Sequence, residues 1–493
     1  MYLCIINNNH VSIKYWILKV VLVILFILFP LDFYAQNEVK LIFAGEVNVG
    51  NNYNVKNHPI ADVDRLFVNV RNELKSGVVS FATLGTVLID VAGTPNKVNQ
   101  KGAHRLIRVP QSYASSLNRC GFKVMNLANS HIADYGVEGL QTTSWAMRDN
   151  NIEYAGLKAI KEFTIFERDG LKYGFVAFGT SVHAPSMADS TLIRKVVAGL
   201  DEQCDIVVVA FSINETAFNT AGGITYASGK NKYMDNARKF AHTCVNAGAD
   251  VVYGNGHGSL QPIELYDDRL ILYGLGNFCT PFGTSFVGES RVAPLIEANF
   301  FLDGTFASGR ILSYRQLNAN GPQPDATREA VRIIKSQTNH KFPKSLLKIG
   351  NDGTIKSDSE SAYAVAMRLL HEAERHKGRP YRLGATGPYA FDCSGFTGYI
   401  FAKMGIKLQR TAAAQYTMGH AVDRKNLRPG DLVFFTRSSV RGVGHVGIVC
   451  SVDKKTGSFR FIHASTSKGV AIDNFSTSAY YIRRYVGARR ILD

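Results

Sequence analysis

No Cys-x-x-Cys pair occurs in the 493 residues, which argues against a structural zinc site built on paired thiolates. Nor is there a dense Lys/Arg run or an interleaving of basic and aromatic residues. The net charge of +16 is therefore not the mark of a nucleic-acid binder. Charged residues are sparse at 19% against 46% hydrophobic, which excludes a disordered chain. Long apolar runs are missing too. Val20 to Phe29 is ten residues, well short of the ~20 that cross a bilayer. No cysteine follows that run, so a lipid-anchored N-terminus is not indicated. No internal repeat or low-complexity tract is present.

What is there begins with a leader pattern. Lys14 and Lys19 precede the apolar run, and Pro30, Asp32 and Phe33-Tyr34-Ala35-Gln36 follow it. This order predicts a secretory signal over residues 1–35 and export to the periplasm or cell surface. An uncleaved anchor that includes Trp16-Ile17-Leu18 is the alternative. Cys4 would leave with the leader. Cys120, Cys204, Cys244, Cys279, Cys393 and Cys450 would remain, and their pairing cannot be read from spacing. The charge is uneven. From Asp358 to Asp493, 21 Lys and Arg stand against 10 Asp and Glu, so +11 of the +16 lies there. A basic surface favours anionic partners such as carboxylate-rich wall polymers.

A chain this long predicts more than one core. From Val39 onward, short apolar strands alternate with helical spacing. Val39–Gly45, Val78–Leu84, Val124–Leu127 and Asp205–Ala210 read as strands, and Tyr233–Ala247 reads as a helix. Alternation of this kind predicts a layered α/β unit. Asn318 to Asp325 is turn-rich, Ala326 to Ser336 has a helix pattern, and Asn351 to Ser359 is polar. The expected division is a unit over 36–356 and a second over 357–493.

Within the first unit, Phe43-Ala-Gly-Glu46, Asn126-Leu-Ala-Asn-Ser-His131-Ile-Ala-Asp134-Tyr-Gly136, Gly248-Ala-Asp-Val-Val-Tyr-Gly254, Leu260-Gln-Pro-Ile-Glu264 and Tyr273-Gly-Leu-Gly-Asn277-Phe278 resemble the CapA-type poly-γ-glutamate capsule-synthesis family. That resemblance implies a calcineurin-like, metallophosphatase-related fold. The chemistry departs from it. The family's Gly-Asp is Gly45-Glu46, and its Asn-Leu-Glu is Thr83-Leu84-Gly85, which removes an acid. Its Asn-Asn-His is Asn129-Ser130-His131, its His-Trp-Gly falls at Phe211-Ser212-Ile213, and its His-His-Pro-His falls at Asn255-Gly256-His257-Gly258. With those ligands gone, no metal and no cofactor are expected, and the unit reads as a scaffold or binding domain.

The second unit carries Tyr389-Ala-Phe391-Asp392-Cys393-Ser394-Gly395-Phe396. Phe396, Tyr399, Ile400 and Met404 recur at helical spacing, so a helix starts beside Cys393 and stops at Gly405. A first helical turn points backbone N–H groups and a positive dipole end outward, which suits a thiolate and a developing oxyanion. Downstream, His445, Gly447 and Val449 share one face of a strand, and Phe459, Phe461 and His463 share one face of another. A cysteine beside two strand histidines suggests thiol-nucleophile hydrolysis with His445 as base and His463 as its orienter. Cys450 reads as core, and Arg483-Arg484 and Arg489-Arg490 read as a solvated face.

Asp392-Cys393-Ser394-Gly395-Phe396, Gln409-Arg410-Thr411 with Gln415, Pro429-Gly430-Asp431-Leu432-Val433-Phe434, Gly444-His445-Val446-Gly447-Ile448 and Ile462-His463-Ala464 together resemble the NlpC-type cell-wall cysteine peptidase family. The resemblance implies a papain-like α+β fold and cleavage of peptidoglycan stem peptides, typically after γ-linked D-glutamate. It assigns Cys393 as nucleophile, His445 as base and His463 as third polar residue, and puts Asp392, Ser394, Tyr381 and Arg410 near the substrate. Arg382-Leu383-Gly384-Ala385 after Tyr381 departs from the family's Gly-Gly. Poly-γ-glutamate hydrolysis and a non-catalytic envelope-binding role are the alternative functions.

Overall fold

The computed structural model describes residues 38–49, 51–52, 62–90, 106–213, 230–256, 258–281, 288–316, 320–357, 362–437, 440–453 and 456–492. The expected leader at 1–35 and His257 lie outside them. Among the described residues no helix is long and apolar enough to cross a membrane.

The N-terminal part is α/β. Val39 to Val47 is nearly all apolar, and a strand buried on both faces reads that way. Glu38–Val47 pairs in parallel with Val79–Leu84, which pairs with Val124–Asn126, which pairs with Glu153–Ala155. On its other side it pairs antiparallel with Val292–Phe301. A second, six-stranded sheet is centred on Leu171–Gly179, Ile206–Ser212 and Val251–Asn255, all parallel. Residues of both sheets share one core, in which Phe43, Phe81, Phe175 and Tyr253 pack ring against ring. Helices such as Ser190–Asp201 and Lys230–Val245 cover the outer face of the second sheet. The parallel strands all end in one direction, so their C-terminal residues gather along one edge of the sandwich.

Three stretches differ from the sequence expectation. Within the turn-rich segment, Pro322–Pro324 forms a short strand against Tyr314–Gln316. It lies at a sheet border, where a proline's missing N–H is tolerated. The following helix runs Glu329–Lys341, later and longer than Ala326–Ser336. Asp325 delays its start, because its carboxylate accepts from the amides of Thr327 and Glu329. Within the polar stretch after Asn351, Thr354–Ser357 joins the first sheet through Ile355, which is fully buried.

The C-terminal part is α+β. Helices α1 (Ala362–Glu374), α2 (Cys393–Lys403) and α3 (Ala412–Gln415) precede an antiparallel sheet. Its strands are β1 (His420–Val422), β2 (Leu432–Arg437), β3 (Val440–Asp453), β4 (Ser458–Ser465), β5 (Gly469–Asn474) and β6 (Tyr485–Arg490), in the order β1-β6-β2-β3-β4-β5. A last short helix, α4, spans Ala479–Ile482.

Alternation along β3 and β4 sorts the sheet's two faces. Val446, Ile448, Ile462 and Ala464 pack against Phe396, Ile400 and Phe401 of α2. Each fully buried side chain of that size is worth about 1.5–3 kcal/mol. Val449, Phe459 and Phe461 pack on the other face with Phe435, Phe475 and Tyr481. Cys450 is half-buried against the α2 side, and desolvation pushes its thiol up to about 12. Arg490 is not on a solvated face. Its guanidinium donates to both oxygens of the buried Asp431 at 2.9 and 2.8 Å and to the Asn426 carbonyl at 2.8 Å. Arg484 lies over the Tyr480 ring at 3.8 Å and Arg489 over Tyr416 at 4.8 Å.

Candidate active site

Cys393 is the first residue of α2 and is 9% exposed. Asp392 before it is extended, and its carboxylate accepts the Gly395 amide at 2.6 Å, the bond that starts the helix. Such a cap contributes about 0.5–2 kcal/mol. The other end stops at Gly405, whose φ of +78° a Cβ would oppose.

Asp392 does more than cap. Arg410 donates to it through Nη2 at 2.6 Å and Nη1 at 3.2 Å, and Nη1 also reaches Ser394 Oγ at 3.2 Å. Gly384 N–H adds a bond at 2.9 Å. Burial alone would raise the Asp392 carboxyl, but Arg410 and the two amides hold it below the usual carboxylate range. Asp392 and Ser394 are buried while Arg410 is half-exposed. Arg410 is thus the member of this group that meets solvent, and its charge is felt at Cys393 and at Tyr381. Tyr381 is held beside Phe391 by a backbone bridge. Gln415, fully buried, ties the group together. It donates to the carbonyls of Ser394 and Gln409, and Thr397 Oγ1 donates to it.

The two histidines sit on neighbouring strands that α2 crosses. Ile448 pairs with Ile462. Continuing that register puts Gly447 opposite His463 and His445 one step diagonal on the same face. Gly447 keeps the space between them open, since a Cβ there would lie 2.6 Å from Phe461 and 3.1 Å from the His463 Cβ. His445 Nε2 lies 2.8 Å from His463 Nδ1. His445 is half-buried beside the rings of Phe435 and Tyr481, whereas His463 is fully buried.

Sequence reading missed the next link. His463 Nε2 lies 3.0 Å from Asp473 Oδ2 on β5, and Lys468 Nζ donates to Asp473 Oδ1 at 2.7 Å. The Tyr481 hydroxyl stands 3.4 Å from His463 Nε2. The His463 bond, opposed by burial and joined by Lys468, holds the Asp473 carboxyl far below its ordinary range. No motif surrounds Asp473. Only the pairing of Phe461 with Asp473 across β4 and β5 gives it away.

At the strand ends of the N-terminal part the polar residues bind one another. Asn126 Nδ2 donates to Thr83 Oγ1 and to Ser212 Oγ, both at 3.1 Å, and Asn255 Nδ2 donates to Thr83 Oγ1 at 2.7 Å. His131 Nδ1 lies 2.9 Å from Asp134. Burial pulls the His131 ring down, but Asp134 outweighs it and the ring titrates above its usual value. Desolvation raises the Glu46 carboxyl against the pull of His131 and Asn48. A Cβ at Gly85 would sit 2.3 Å from Glu46 Oε1. The longer acid at 46 therefore occupies the room an acid at 85 would need. This donor set does not fit a metal centre, since it is made of neutral amides and hydroxyls, with both Asn126 and Asn255 Nδ2 donating across the two sheets and the Asn255 Oδ1 left as a lone buried acceptor. Among the described residues no three His, Cys, Asp or Glu side chains converge on a point that could hold a cation.

Residues 40–281 match the sequence model of the family described as bacterial capsule synthesis protein PGA_cap, and residues 378–490 match that of the NlpC/P60 family. A probable endopeptidase p60 of Listeria welshimeri is 44% identical over 112 residues, 23% of this chain and 20% of that protein. The murein DD-endopeptidase MepS/murein LD-carboxypeptidase of Escherichia coli is 40% identical over 129 residues, 26% of this chain and 64% of that protein. A gamma-DL-glutamyl hydrolase of Bacillus subtilis is 36% identical over 138 residues, 28% of this chain and 32% of that protein. The chain thus spans about a fifth of the length of the p60 relative.

Proposed function

For a chain that joins a PGA_cap unit to an NlpC/P60 unit, we propose a cysteine endopeptidase that cleaves peptidoglycan stem peptides at a γ-D-glutamyl–diamino acid bond. One observation carries the reading. The hydrogen-bonded series His445–His463–Asp473 lies on strands packed against the helix that Cys393 begins. In this reading His445 accepts the thiol proton as the sulfur attacks the scissile carbonyl. Amides of the first turn of α2 stabilise the oxyanion. The proton passes from His445 to the leaving amine as the C–N bond breaks. Water, deprotonated by His445, then hydrolyses the thioester and releases Cys393. Arg410, with Asp392 and Ser394 behind it and Tyr381 beside it, would receive the part of the stem peptide before the bond. The chain would work outside the cytoplasm, with residues 1–35 as leader, 36–356 as a docking domain and 357–493 as the peptidase.

The second reading is hydrolysis of poly-γ-glutamate. The PGA_cap match and the gamma-DL-glutamyl hydrolase relative favour it. Incubating the protein with defined muropeptides and, separately, with poly-γ-glutamate divides the two by product mass. Cys393→Ala should abolish cleavage, a loss of about 10³-fold or more. Cleavage that survives Cys393→Ala sinks the thiol mechanism, and cleavage of poly-γ-glutamate alone sinks the peptidoglycan reading.

A further inference from the structure

Beyond the cysteine and the two histidines, we infer that Asp473 is a positioning residue that fixes the tautomer of both His463 and His445 in series. The inference rests on the proposed Cys393–His445 chemistry for its purpose, but its geometry stands alone.

The argument is one of donors and acceptors. An ionised carboxylate can only accept. The proton in the 3.0 Å contact between Asp473 Oδ2 and His463 is therefore on Nε2 of the imidazole. A neutral imidazole protonated at Nε2 presents a lone pair at Nδ1. That Nδ1 is 2.8 Å from His445 Nε2, so His445 must donate through Nε2–H. His445 in its neutral form then carries its lone pair on Nδ1, the atom that can take a proton from a thiol. A single carboxylate two residues away in the relay thus decides which nitrogen of His445 is basic. Full burial of His463 keeps water from supplying a competing proton.

Three details hold Asp473 to this task. Its second oxygen is engaged by Lys468 at 2.7 Å, which limits rotation of the carboxylate. Tyr481, packed on the rings of both histidines, places its hydroxyl 3.4 Å from His463 Nε2. Gly447 leaves the gap across which the imidazoles meet. When His445 is protonated, its positive charge faces a relay that ends in an anion, which stabilises the imidazolium without moving a proton to Asp473.

The test uses the full chain with ¹⁵N-labelled histidine and long-range ¹H–¹⁵N correlation, which reads tautomers directly. In the wild type near pH 8, both His445 and His463 should show Nε2–H. Asp473→Asn can donate where Asp473 only accepts, and should give a reversed or mixed tautomer at both histidines. With muropeptide it should lower kcat by about 10- to 10³-fold while KM stays within about threefold. Asp473→Glu, which keeps the acceptor, should restore the wild-type tautomers. A wild type whose His445 carries its proton at Nδ1 and none at Nε2 overturns the inference even if the variant fails to fold. So does an Asp473→Asn protein with unchanged tautomers and kcat within twofold. A wild type that cleaves nothing yet shows the two Nε2–H tautomers supports the role of Asp473 and removes only the peptidase reading.

Discussion

Thr83, Asn126, Ser212 and Asn255 in the N-terminal part, and His445, His463 and Asp473 in the C-terminal part, are both polar sets carried on strands. The first is neutral and cross-linked. Its amides donate to hydroxyls across two sheets and hold them together, with the Asn255 Oδ1 left unpartnered. The second is directional. It starts at a part-buried anion, passes through two imidazoles and ends at a half-buried ring on strands beneath the Cys393 helix. A neutral cross-link adds stability, whereas a directional chain with titratable members can pass a proton's worth of bias to its end. Both sets lie on strands; what separates them is the ordering of donors and acceptors.

Removing a member from each set tests that contrast. His463→Ala should have the largest effect. It opens a cavity, takes the imidazole from Asp473 while leaving Lys468 and Tyr481, and removes the partner of His445. A stability loss of ~3 kcal/mol is expected, together with a fall in muropeptide cleavage of about 10²-fold or more. Denaturant unfolding and steady-state kinetics measure the two separately. If cleavage persisted at wild-type rate, the directional chain would be reduced to packing.

Thr83→Val should be intermediate. It strips the shared acceptor from Asn126 and Asn255 and should cost ~1–3 kcal/mol, with cleavage within twofold of wild type. A proportionate loss of activity would show that the two regions are not distinct in role.

The smallest effect is one of pH. The folded-state carboxyl of Asp473 lies far below its unfolded value of ~3.9. Its contribution is therefore complete above about pH 4 and is lost as pH falls through the folded value. Stability measured between pH 5 and 8 should show no change from this group. Acid titration of Asp473→Asn should be shallower than that of the wild type, and identical acid limbs would count against the His463–Asp473 bond.

Much of this was legible in the sequence. The apolar spacing after Cys393 located α2, and alternation put His445 and His463 each on a known face. The ordered motifs from Asp392 to Ala464 pointed to one candidate chemistry, and Thr83-Leu84-Gly85 and Ser212 marked departures from the capsule-synthesis pattern. Local pattern suffices there, because helix and strand periods act over neighbouring residues. The rest needed pairing between distant segments. Asp473 meets His463 only because Phe461 aligns with Asp473 across β4 and β5. Arg410 reaches Asp392 only because the chain after α2 folds back over its start. Arg490, read as surface, is drawn to Asp431 from 59 residues away. Glu46 fills the room above Gly85 from another strand. The sequence by itself determined that Cys393, His445 and His463 were candidates for chemistry and where α2 begins. The tertiary structure decided their partners, because register and chain reversal, which no local period encodes, set which donor faces which acceptor.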